Sequence, residues 1–167
     1  MSFLSRVISR SKHSLGVWML VLAHLVHAEA PRLDFELAGE HDFVRLSGLP
    51  AQTTIINFWR YDCPPCLREM PILSRLAKGG RIRVITVALH RPSETLQAPP
   101  EVLAALGSPL LTLYGPREPQ GLLARFGDPG QALPHTVILN PERRLCAKKT
   151  GEISVEWLEK ELASCKG

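Results

Sequence analysis

Six residues from Thr54 to Trp59 (TIINFW) form a nearly continuous apolar, β-branched run, and Cys63-Pro64-Pro65-Cys66 follows three residues later. Such a run reads as a central strand buried on both faces, so it needs a covering layer on each side. Cys63 to Ala77 then carries Leu67, Met70, Leu73 and Leu76 three or four apart, the spacing of a helix with one apolar face. Pro71 is expected to kink that helix.

The rest of the chain repeats this alternation. Phe35–Leu37 and Phe43–Leu46 alternate apolar and polar residues around a Gly39–Asp42 turn, as in a small β-hairpin. Arg81–Leu89 reads as a second buried strand and 90–100 as a loop. Short helices are expected over Pro100–Leu106 and Gln120–Phe126, with a short strand, Leu110–Tyr114, between them. Thr136–Asn140 and Leu145–Thr150 read as an antiparallel pair, and Ser154–Ser164 as an amphipathic helix with Val155, Leu158 and Leu162 on one face. This order predicts one α/β domain over residues 29–167, a central mixed sheet with helices on both faces. The 14 prolines and 12 glycines are dispersed among apolar runs, and 45% of the chain is apolar, so low-complexity and disordered classes are excluded.

The net charge of +4 is misleading. Arg6, Arg10 and Lys12 are the only charged residues in the first 28, and the remainder carries 17 basic against 16 acidic side chains. Nothing there supports nucleic-acid binding, which needs a concentrated basic face. Residues 1–28 instead read as a secretory signal peptide: a cationic head, the uncharged stretch Leu15–Val26, and a cut after Ala28 with Val26 at −3. An uncleaved anchor is the alternative. Both place the folded part outside the cytoplasm, where cysteine pairs are often oxidised.

A strand–CPPC–helix order supports redox chemistry. Cys63 at the helix start faces unpaired N–H groups and the positive end of the helix dipole, which favour a thiolate. Cys66, one turn on, is close enough to attack a mixed disulfide formed at Cys63 and release the product. Zinc sites share the spacing, but the second C-x-x-C or H-x-x-H pair that normally completes one is missing. No metal site and no organic cofactor are expected.

The segment Asn57-Phe58-Trp59-x-x-x-Cys63-Pro64-Pro65-Cys66-x-x-Glu69-Met70-Pro71 resembles the active-site segment of the TlpA/ResA-like (DsbE-like) branch of the thioredoxin superfamily. That branch holds extracytoplasmic thiol–disulfide oxidoreductases, some serving cytochrome c maturation. Leu133-Pro134-His135-Thr136-Val137-Ile138-Leu139 resembles its second signature, a cis-proline loop. The resemblance runs over about residues 33–165 and implies a thioredoxin-like fold. It implies a catalytic pair Cys63 and Cys66, with Pro134, Leu133 and Trp59 toward the substrate. Glu69 would be a proton shuttle for Cys66; the alternative is a solvated glutamate paired with Arg68 or Arg75. The implied partners are substrate proteins bearing disulfides or thiols and a membrane thiol-reducing protein. The implied direction is reductive, with the chain acting as a monomer.

Two positions depart from the family pattern. Asp62 stands where the family has Trp; its carboxylate opposes a thiolate at Cys63 or caps the helix. His135 lies beside the sulfurs or is a surface histidine. His41 and His90 read as loop residues. Cys146 in the last strand and Cys165 near the end of the returning helix come within reach of a disulfide; otherwise they are a small core residue and a loose thiol. The rival function is a metallochaperone module in which the two thiolates and His135 hold Cu(I) or Zn(II).

Overall fold

The computed structural model describes residues 30–165, and the expected export signal over 1–28 lies outside them. Seven strands form one sheet: β1 (Glu36–Ala38), β2 (Phe43–Arg45), β3 (Thr54–Trp59), β4 (Arg83–Ala88), β5 (Leu111–Tyr114), β6 (His135–Leu139) and β7 (Leu145–Thr150). Their order is β2-β1-β5-β4-β3-β6-β7. β3, β4 and β5 run parallel, while β6 lies antiparallel to β3, with Asn57 opposite Thr136. The sheet is therefore mixed, and β3 lies in its interior with all six residues buried.

Alternation along β3 divides the core in two. Ile55 and Trp59 join Cys66, Met70 and Leu73 of α1 (Pro64–Lys78), Val102 of α3 (Pro100–Ala105) and Leu158 of α5 (Val155–Ser164). On the other face Ile56 and Phe58 join Phe35, Leu37, and Leu122 and Leu123 of α4 (Gln120–Arg125) with Phe126 after it. α1 begins with prolines at its first two positions, which fix φ where N–H groups would be unpaired anyway. It continues through Pro71 for its full 15 residues.

The stretch 90–100 differs from the loop expected of it. One helical turn, α2 (Pro92–Thr95), forms there because Pro92 presets φ and the Glu94 carboxylate accepts the Arg91 N–H at 2.7 Å. A four-residue helix is too short for periodicity to reveal. In α5, Leu158 is buried but Val155, expected on the same face, is exposed in the first turn.

Candidate active site

The CPPC segment sits where β3 hands over to α1. Cys63 is the N-cap of α1 and is half-buried, whereas Cys66 is fully buried. They are joined in a disulfide, with Cα atoms 5.3 Å apart. The Cys63 N–H donates to the Arg60 carbonyl, the Cys63 carbonyl accepts from Leu67, and the two prolines carry no N–H. The Cys66 amide is thus the first-turn donor left to face a thiolate at Cys63.

Glu69 follows one turn after Cys66 on the same helix face. It is wholly buried: Oε1 accepts the Ile153 N–H at 2.6 Å, and Oε2 accepts from Asn57 Nδ2 at 2.8 Å. Asn57 Nδ2 also donates to Thr136 Oγ1 at 2.9 Å, tying the carboxyl to β3 and β6. Burial pushes Glu69 up to about 7 against the pull of both donors. A solvated glutamate paired with Arg68 or Arg75 is excluded, because Arg68 pairs with Glu152 at 2.6 Å instead. Sequence reasoning missed Asn57 and the Ile153 amide as partners of this acid. Asn57, a polar residue in an otherwise apolar strand, was the available signal.

The Leu133–Pro134 peptide is cis; Pro134 is buried and Leu133 partly exposed. Pro134 accepts the Gly151 N–H at 2.8 Å through its carbonyl. Trp59 does not fit the substrate-facing role expected of it. It is fully buried, because both faces of β3 are covered, and its ring meets the edge of His90 with centroids 4.8 Å apart. His90 is correspondingly more than a loop residue: it is half-buried beside Trp59 and Tyr61, and burial lowers its pKa.

Asp62 neither caps α1 nor stands alone. Arg60 binds both its oxygens, at 2.8 and 3.0 Å, and holds the carboxyl below its usual range. His135 matches neither of its expected placements. It is fully buried in β6 on the Phe58 side; Nε2 donates to the Phe126 carbonyl at 3.0 Å, leaving Nδ1 to meet Thr150 Oγ1 at 2.9 Å. These bonds take both ring nitrogens, so His135 is no third ligand for the CPPC sulfurs. Among the described residues no group of three or more His, Cys, Asp or Glu is placed to hold a metal. Cys146 of β7 and Cys165, which follows α5, form a second disulfide. A surface groove between α2, α3 and β5, lined by Thr95, Leu96, Leu106 and Tyr114 among others, holds none of the four cysteines.

No family model matches the chain. ResA, a thiol–disulfide oxidoreductase of Halalkalibacterium halodurans, is 25% identical over 130 residues, covering 72% of this chain and 66% of ResA. The chain thus spans just under two thirds of the length of that curated relative. Among solved structures, a DsbF homologue from Corynebacterium diphtheriae superposes with a TM-score of 0.65 at 21% identity, covering 80% of this chain and 85% of its own. A secreted Mycobacterium tuberculosis disulfide oxidoreductase homologous to DsbE of E. coli gives 0.59 at 19% identity, covering 77% and 94%. Both structural likenesses speak to the thioredoxin-like fold. The sequence likeness is to a thiol–disulfide oxidoreductase, ResA, and the active-site segment around Cys63–Cys66 lies on that same fold.

Proposed function

We propose that the chain is a thiol–disulfide oxidoreductase working outside the cytoplasm, reducing disulfides in partner proteins. The observation that carries this reading is the Cys63–Cys66 disulfide at the start of α1, joining a half-buried cysteine to a fully buried one.

In the reduced protein the Cys63 thiolate attacks a substrate disulfide, forming one S–S bond as another breaks. The leaving substrate thiolate takes up a proton. The Cys66 thiol gives its proton to the Glu69 carboxylate and attacks the Cys63 sulfur. The second substrate thiol departs and the Cys63–Cys66 disulfide remains, so two electrons have passed to the substrate. A carboxyl titrating near neutrality suits that transfer in both directions. Leu133, partly exposed ahead of the buried cis Pro134, is the backbone offered to an extended substrate segment, since the proline has no N–H of its own to satisfy.

The reductive direction, a membrane thiol donor, a role in cytochrome c or related metalloprotein assembly, and export by residues 1–28 rest on the family likeness. Asp62 supports the direction less than an unpaired carboxylate would, because Arg60 offsets its charge. No helix among the described residues is long and apolar enough to cross a membrane.

A Cys66→Ser variant tests the reading. It retains partners as mixed disulfides through Cys63, which mass spectrometry identifies; absence of any Cys63-linked species from the oxidising compartment overturns the assignment. Equilibration with thiol buffers tests direction: a potential near roughly −270 mV supports a reductant, and one near roughly −120 mV an oxidant.

A further inference from the structure

The turn joining β7 to α5 touches two separate parts of the thiol site. The Gly151 N–H donates to the Pro134 carbonyl at 2.8 Å, and the Ile153 N–H donates to Glu69 Oε1 at 2.6 Å. Between them Glu152 pairs with Arg68 of α1. Gly151 has φ +96°, a conformation that L side chains rarely adopt, and nothing lies within 4 Å of where a Cβ would stand. Ile153 is itself buried, so the turn also keeps water from Glu69.

This turn lies within the ring closed by Cys146 and Cys165, which are 19 positions apart. β7 is one of the two edge strands of the sheet and, among the described residues, pairs with β6 alone. The bridge ties that edge strand to the end of α5, beyond the Ser154 cap and the Lys149–Trp157 contact inside the ring. We infer that the Cys146–Cys165 bridge is a positioning element for exchange at Cys63–Cys66, acting through the Gly151–Ile153 turn that it holds on Pro134 and Glu69. The inference rests on the proposed function, but its effect on Glu69 is measurable without turnover.

The groups around Glu69 decide the sign. Asn57 Nδ2 from β3, the Ile153 N–H and the Lys149 charge from β7 favour the carboxylate. Burial and the Glu152 charge oppose it, with Arg68 of α1 directed to Glu152, and burial is the largest influence. Loosening the turn removes one donor but also admits water. Hydration outweighs the lost donor, so the Glu69 midpoint falls.

The test follows the Glu69 carboxyl by carbon NMR across pH, in the oxidised full chain and in Cys146→Ala/Cys165→Ala. The expected result is a midpoint lower by roughly one pH unit, with the pH profile of mixed-disulfide resolution moving the same way. A midpoint unmoved or raised in a variant with native circular dichroism overturns the inference, leaving the bridge a stabilising role alone. Gly151→Ala keeps the bridge and strains only the turn backbone; the same fall is expected, and this variant decides the matter if the double variant does not fold. A wild-type chain that titrates as described but exchanges no disulfides overturns the proposed function instead.

Discussion

The two disulfides share a pattern of access and differ in where their helices point. Each spans 5.3 Å between Cα atoms and joins a more open cysteine to a buried one: Cys63 to Cys66, and exposed Cys146 to Cys165. Cys63 caps the N-terminus of a 15-residue helix, where the dipole and the Cys66 amide favour a sulfur anion. Cys165 caps the C-terminus of a 10-residue helix, where carbonyl groups disfavour one. A buried carboxyl, Glu69, stands one turn after Cys66, its pKa raised by burial to about 7. Solvent access alone does not distinguish the two bridges; the charge that the fold presents to each sulfur does.

Four measurements press on that contrast. Cys63→Ser abolishes disulfide exchange, a loss of at least roughly a thousandfold in rate. The Cys146→Ala/Cys165→Ala pair stays within roughly tenfold of wild type at pH 7. Equal losses in an insulin-reduction assay would erase the distinction between the bridges.

Stability reverses the ranking. The 146–165 bridge closes a longer ring than 63–66, so its removal costs about 3 kcal/mol, against about 2 kcal/mol for the shorter loop. Urea midpoints of the two double-alanine variants compare them directly. A larger loss for the CPPC pair would contradict the structural role given to the outer bridge.

Glu69 sharpens the contrast through pH. Its folded midpoint near 7 lies above the ordinary 4.5, so between these values the folded chain holds a proton that the unfolded chain has released. The resulting contribution is fully present below pH 4.5 and is lost as pH rises to 7, about 3 kcal/mol in all. Glu69→Gln flattens that slope in chemical denaturation at several pH values. A variant as steep as wild type would assign the slope to another group.

The smallest effect belongs to Asp62. Asp62→Asn removes a carboxylate next to Cys63, and alkylation of the reduced chain at Cys63 rises roughly threefold. No change means that Arg60 already cancels the charge.

Much of this was legible in one dimension. Thr54–Trp59 could only be an interior strand, because six residues of that kind leave no face for water, and the helix after Cys63 follows from its spacing. The candidate cysteines were therefore placed correctly on a strand-to-helix turn. Trp59 departs from its expected place because a motif gives proximity along the chain and not exposure: both faces of β3 are covered, so either direction leads into the core. His135 failed likewise, since its partners, Phe126 and Thr150, lie 9 and 15 residues away. α2 escaped notice because a single turn leaves no periodic trace.

The chain's order of residues determined the layered sheet, the Cys63–Cys66 pair and the helix that begins at it, since local propensity and short-range burial act over a few neighbours. Only the tertiary structure decided that Glu69 is buried, that Asn57 and the Ile153 amide hold it, and that Arg60 shields Asp62. The reason is physical: a carboxyl's solvation and partners are set by segments up to 84 residues distant, whose approach no local pattern encodes.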